Sequence, residues 1–356
     1  MSAPASHTYL KTRASVMASR LLSEKRLEEL TESTLDDVGR EFALEELTDS
    51  TLSRGRLNRA AERALIRTLM HELSVLLRPL EGSERDILVH WARKFELYNL
   101  KALIRGKLQK LSFQQIKQNL HDLPLLISLP HEELLRTENI LELLRQLENS
   151  SYSDIARQAR QVYEDRNEPF SLDATIDHSY FTSLLRKVTL VGATDHEPLR
   201  ALIGSLIDRH NLIWLMRYRL NYGLSASETY YLLVPFGRQL HQERLKELVN
   251  LGSYEQVIEA LPAQMAEFLQ DTNNPLQAEY ILDRESAIFA RHSLRFSSSA
   301  VTRALAYMVL REMDLKRIYA VMQGKVLNLD TGLIREAAGL TETNGSAHSI
   351  AGSPHV

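Results

Sequence analysis

Glu96-Leu97-Tyr98-Asn99-Leu100-Lys101-Ala102-Leu103-Ile104-Arg105, Asp208-Arg209-His210-Asn211-Leu212-Ile213-Trp214-Leu215-Met216-Arg217 and Glu312-Met313-Asp314-Leu315-Lys316-Arg317-Ile318 share one short pattern. Apolar residues surround a polar Asn or Asp at 99, 211 and 314, at the spacing of an amphipathic helix. The repeat distance, on the order of a hundred residues, is long for a solenoid and suits small helical domains. After the first two copies come Leu111-Ser112 and Leu224-Ser225, each opening a polar helix that ends near Pro124 or Pro235.

A second pattern alternates with the first. Arg26-Leu27-Glu28-Glu29-Leu30 precedes Thr34-Leu35-Asp36-Asp37-Val38, Ile140-Leu141-Glu142-Leu143-Leu144 precedes Ser151-Tyr152-Ser153-Asp154-Ile155, and Arg244-Leu245-Lys246-Glu247-Leu248 precedes Ser253-Tyr254-Glu255-Gln256-Val257. Each is followed by a helix opening with Leu57-Asn58-Arg59-Ala60, Leu172-Asp173-Ala174 or Leu276-Gln277-Ala278. In this order the first copy of the second pattern has no partner before it and the last copy of the first has none after it. The chain ends can therefore complete one module, with helices near residues 9–22 and 300–326 packed together, and three modules then close around a pseudo-threefold axis. An extended row would show the same order.

Composition excludes several classes. With 43 Lys and Arg against 46 Asp and Glu, no global basic field draws the chain to nucleic acid or to an anionic membrane surface. Zero cysteines remove disulfides, thiolate metal sites and a thiol nucleophile together and fit a cytoplasmic protein. Only 14 glycines and 10 prolines punctuate 356 residues dominated by helix formers, so the fold class is all-α. The first seven residues lack a secretory signal pattern. The longest apolar stretches, residues 123–129 and 304–310, fall well short of the roughly 20 residues needed to span a bilayer. Residues 341–356, rich in Gly, Ser, Thr and His, carry too little apolar surface to offset their ordering entropy and are expected to be disordered.

Catalytic signatures are missing. Gly106-Lys107 and Gly324-Lys325 lack the first glycine and the following hydroxyl of a P-loop, and no dinucleotide, zinc-protease or nucleophile-elbow motif occurs. His71-Glu72 and His131-Glu132-Glu133 have no second histidine one turn away, and Asp36-Asp37 fits a helix N-terminal charge pair. No catalytic, cofactor-binding or metal-binding residue is assigned. Ser83 is expected to cap a helix with Asp86 reaching back, and apolar residues recur at Ile87, Trp91, Phe95 and Leu103. This places Asn99 inside a helix, where Asn costs roughly half a kcal/mol relative to Ala. Two readings explain such residues in equivalent places: each meets a partner protein, or each hydrogen-bonds a neighbouring loop and locks its module. Arg217, Arg219 and Tyr222 are interface candidates by residue type.

These segments together resemble the C-type subunits of V/A-type ATPases, called d-type in the eukaryotic enzymes, across residues 9–340. The residues that carry the resemblance are Tyr9 to Arg13, leading into a helix ending at Leu22; Asn99-Leu100 with Arg105-Gly106-Lys107; the stretch from Asp208 through Asn211-Leu212 to Arg219; and Asp314-Leu315 running to Gly324-Lys325. In the third copy Asp314 replaces Asn, and Ala320 falls at the spacing of Arg105. The resemblance implies a funnel with a central cavity built from three helical modules: residues 1–80 with 300–340, residues 81–190, and residues 191–299. It further implies a non-catalytic rotor component, peripheral on the cytoplasmic face of the membrane. Such a component couples the D- and F-type central shaft subunits to the proteolipid ring without a cofactor. An unrelated helical scaffold or adaptor with a soluble partner, and a helical enzyme whose site is assembled across modules, are the competing readings.

Overall fold

The structure, a computed structural model, describes residues 3–42, 54–166, 169–270, 272 and 275–340; the tail expected to be disordered lies outside them. Among the described residues the fold is all-α, without strands. The helices are α1 (Ala3–Ala18), α2 (Glu24–Glu32), α3 (Leu35–Glu41), α4 (Arg54–Leu77), α5 (Gly82–Leu108), α6 (Phe113–Lys117), α7 (His131–Arg136), α8 (Ile140–Leu147) and α9 (Ser153–Arg166). They continue with α10 (Pro169–Val188), α11 (Ala193–Leu215), α12 (Ala226–Leu232), α13 (Gln242–Leu248), α14 (Tyr254–Glu259), α15 (Ala263–Leu269), α16 (Pro275–Phe296), α17 (Ala300–Val326) and α18 (Thr331–Ala337). A π-helical turn, Met216–Asn221, extends α11.

Short polar side chains set most helix starts. Ser23, Thr34, Asn139, Ser253 and Asp330 each accept a hydrogen bond from a backbone N–H in the first turn of the helix that follows. Ser112 with Gln115 and Ser225 with Glu228 form full capping boxes, so the two Leu-Ser signals do open α6 and α12. Ser83 does not cap α5. Gly82 takes φ +53° and Glu81 stands at the cap position, leaving Ser83 inside the helix. Helix α1 ends at Ala18, four residues short of the expected end.

The chain divides into two compact units. One comprises Met1–Leu21 and Glu62–Asp314, the other Leu22–Ala61 and Leu315–Val356. In the first, α10 packs on α9 and α5, α8 on α9, and α11 on α16. Ile87, Leu88, Trp91, Leu100 and Leu103 of α5 and Leu202, Ile203, Ile207, Leu212 and Leu215 of α11 are at most 1% exposed, forming the core stripe of each long helix. Arg303 on α17 donates to Ser15 on α1, and Arg311 and Tyr307 bond Glu72 on α4. In the second unit α2 packs on α18, with Arg335 2.5 Å from Glu28.

Candidate functional site

The buried polar residues of the long helices fall into a repeated arrangement. On α5, Asn99 is fully buried; its Oδ1 accepts the His121 N–H at 2.8 Å and its Nδ2 donates to the His121 carbonyl at 3.0 Å. On α11, Asn211 does the same to Val234, accepting at 2.9 Å and donating at 2.8 Å. Each amide thus satisfies both backbone groups of one residue in the loop after α6 or α12, groups that burial would otherwise leave unpaired. Three positions earlier on each helix stands a buried carboxylate. Glu96 accepts the Leu129 N–H at 2.9 Å, faces His131 Nε2 at 2.5 Å and takes Nδ2 of Asn99 on its other oxygen. Asp208 accepts the N–H groups of Gln239 and Leu240, both at 2.8 Å. Burial pushes the Asp208 carboxyl up to about 6, against the pull of those N–H groups. The backbone at Gly237 approaches so closely that a Cβ there would fall 2.1 Å from Asp208 Oδ1.

Eight positions after each Asn lies a cation whose work is equally internal. Lys107 donates to the carbonyls of Leu135 and Thr137 where α7 ends, and Arg219 donates to Val249 where α13 ends. Four carbonyls at every helix C-terminus lack intrahelical donors, and a cation there also meets the negative end of the helix dipole. One position before Lys107, Gly106 packs against α6, where a Cβ would sit 2.5 Å from Ile116.

The second unit repeats this geometry on α17, with a shift in register. Lys325 donates to Thr31 and Ser33 at the end of α2, and Gly324 lies against Ile334, 2.6 Å from a notional Cβ. Eight positions before Lys325 is Arg317, which donates to the carbonyls of Ala338 at 3.1 Å and Gly339 at 3.3 Å after α18. Arg317, rather than Asp314, therefore takes the place of Asn99 and Asn211. Asp314, 4% exposed, stands where Glu96 and Asp208 stand, and Gln323, rather than Ala320, matches Arg105. Sequence matching favours the likeness of Asp to Asn, whereas the fold repeats donation to a loop, which a guanidinium also performs. The second pattern shifts likewise: Lys107 grips α7, so its second copy begins one helix before Ile140. The Leu-Ser signal also has a third form in Leu329-Asp330. Lys110, Gly223 and Asn328, at φ +54°, +68° and +56°, turn the chain immediately before Leu111, Leu224 and Leu329.

The remaining candidates separate by exposure. Leu100 and Leu212 are fully buried and Leu315 is 5% exposed, so all three are core. Arg105 is half exposed, 3.6 Å from Asp173. Arg219 is held by backbone carbonyls, while Arg217 is exposed and Tyr222 is 58% exposed. His131 and Glu72 are engaged by Glu96 and by Tyr307 with Arg311, and no group of three His, Asp or Glu able to hold a metal occurs among the described residues. Sequence alone does not mark Glu96, Lys107, Arg317 and Lys325 as contacts of this kind. The available signal is the pair Gly-Lys, present twice, in which a glycine clears space for a neighbouring helix and the lysine reaches the end of another.

Comparison with known proteins finds relatives over most of the chain. The profile of the ATP synthase (C/AC39) subunit family matches residues 10–337. Among relatives, the C subunit of the A-type ATP synthase of Methanocaldococcus jannaschii is 25% identical over 284 residues, covering 78% of this chain and 71% of the relative. The corresponding A-type ATP synthase C subunits of Methanothermobacter thermautotrophicus and Methanosarcina barkeri are each 23% identical, over 89% and 93% of this chain and 83% and 92% of theirs. With the match covering all three long helices α5, α11 and α17, the chain belongs to the ATP synthase (C/AC39) subunit family.

Proposed function

We propose that this chain is a non-catalytic rotor component of a V/A-type ATPase, a socket that couples the central shaft to the membrane proteolipid ring. Its three modules, residues 1–80 with 300–340, residues 81–190 and residues 191–299, form a funnel around a pseudo-threefold axis, peripheral on the cytoplasmic face of the membrane. The observation that carries this reading is the thrice-repeated clamp, whose three long helices lie within a family match over residues 10–337. A buried carboxylate and an amide on α5 and α11, a guanidinium on α17, and a capping cation on all three tie the long helices to the short elements beside them. Torque transmission needs stiffness, and backbone groups fixed to a helix interior by two-way hydrogen bonds make loops resist deformation. No described helix is long and apolar enough to cross a membrane, which fits peripheral attachment. Arg217 and Tyr222 belong to the partner-facing surface, and Arg219 fixes the turn that presents them.

Affinity purification of the tagged chain from native membranes in mild detergent tests the reading. Shaft and proteolipid subunits are expected to co-purify in fixed ratio; recovery with soluble partners alone would instead support a helical adaptor.

A further inference from the structure

Charge is unevenly spread along this chain of net charge −3. Residues 1–21 hold Lys11, Arg13 and Arg20 and no carboxylate, and residues 286–311 hold Arg291, Arg295, Arg303 and Arg311 and again none. The two stretches are remote in sequence but adjoin in the first unit. Helix α1 packs on α16, and Arg303 on α17 donates to Ser15 on α1 at 2.8 Å. The carboxylates that reach them from elsewhere are engaged, Glu84 by His7 and Glu72 by Tyr307 with Arg311. On the earlier turns of α16, Glu279 and Asp283 face Arg209.

The exposed faces of the two helices share one pattern. On α1, Tyr9, Arg13 and Val16, with Arg20 just past the helix end, follow at intervals of four, three and four residues. On α16, Arg284, Ile288, Arg291 and Arg295 follow at the same intervals, with His292 and Phe296 beside them. Such spacing lines up side chains on one face of a helix, and a surface helix normally turns its apolar members toward the core. Here they turn outward: Val16 is 50%, Ile288 48% and Phe296 65% exposed, each among arginines that are exposed too.

We propose that the exposed faces of α1 and α16 bind the headgroups of an anionic phospholipid surface. The inference goes beyond the socket reading and does not depend on it. A single exposed arginine is satisfied by water; what marks these helices is the clustering of cations, since the attractions of several cations to one charged surface add. Each Lys or Arg near an anionic bilayer strengthens binding by about fivefold. Guanidinium groups pair with phosphate oxygens bidentately, while apolar side chains between them enter the boundary of headgroups and acyl chains. A bilayer thus offers phosphate and hydrocarbon at adjacent depths, whereas nucleic acid offers Val16 and Ile288 no apolar layer. The overall charge balance excludes a global basic field and leaves room for this local one.

The test is co-sedimentation of the purified full chain with vesicles of phosphatidylcholine alone and of equal parts phosphatidylcholine and phosphatidylglycerol, at low and physiological salt. The chain is expected to bind the anionic vesicles, less tightly as salt rises, and to leave the neutral ones in suspension. Arg291→Glu together with Arg295→Glu should weaken binding about tenfold or more, and the corresponding lysine pair should retain most of it. Phe296→Ala should weaken it several-fold with its salt dependence unchanged. All these side chains are exposed, so melting temperatures should match wild type; Arg13→Gln with Arg20→Gln, on the other helix, gives a second reading of the charge effect. No binding by wild type, equal binding to neutral vesicles, or binding by both charge variants within twofold of wild type would overturn the proposal. Binding to soluble polyglutamate but not to anionic vesicles would overturn it as well, in favour of an acidic protein partner.

Discussion

Replacing Asn211 by Ala removes an amide that accepts the Val234 N–H at 2.9 Å and donates to the Val234 carbonyl at 2.8 Å, with both Val234 and Asn211 fully buried. Each orphaned backbone group costs roughly 1–3 kcal/mol because water cannot reach it. Against this, Ala is the better helix former by about half a kcal/mol. With two groups orphaned, the expected net loss is about 1.5–5.5 kcal/mol. In the unit containing Met1–Leu21 and Glu62–Asp314, where 1 kcal/mol moves the midpoint by about 2–4 °C, Tm should fall by roughly 3–20 °C. Calorimetry of the isolated chain reads the shift, and hydrogen exchange at the Val234 amide reads its local origin. Asn211→Asp keeps the acceptor but sets a carboxylate against the Val234 carbonyl, so it should not restore stability. An unchanged Tm for Asn211→Ala, with the Val234 amide still protected, would show that the clamp does not hold the loop.

Gly106→Ala places a methyl 2.5 Å from Ile116 and should cost about 1–3 kcal/mol by overpacking, read as a lower urea midpoint; Ile116→Ala in the same chain should recover part of that cost. Lys325→Met strips the donor from the Thr31 and Ser33 carbonyls at the end of α2 and should destabilise the second unit by roughly 1–2 kcal/mol, with hydrogen exchange in α2 and α3 accelerated. Acid should weaken the first unit. Burial holds His90 and His121 down to about 4, so the unfolded chain binds more protons between pH 4 and 6.5, and stability present above pH 6.5 is lost as pH falls through that window, by roughly 3 kcal/mol for each histidine. Asp208, raised to about 6, acts in the opposite sense between roughly pH 4 and 6 and offsets part of the loss. His90→Gln should flatten the measured slope of stability against pH.

The helical class is legible in the sequence because it rests on periodicity and composition, and the caps at Ser112, Ser225 and Ser253 follow from residue type alone. The interior amides are legible too, since Asn inside an apolar stripe is a local misfit that only a fixed partner explains. What sequence does not reveal is which atoms a clamp uses. Glu96 and Lys107 look like ordinary surface charges in a chain with a quarter of its residues charged, and only the fold shows their heads turned inward to loop N–H groups and helix-end carbonyls. The third copy misleads for the same reason: Arg317 substitutes for Asn in function without resembling it in type. Ser83 misleads as a cap because Gly82 adopts a left-handed conformation that no cap rule requires.

The most direct test of the account is electron cryomicroscopy of the membrane complex carrying the tagged chain. The account predicts three similar helical modules about one axis, with shaft density inside them and the proteolipid ring beneath. Modules arranged in an open row, or density for the chain away from the rotor, would contradict it.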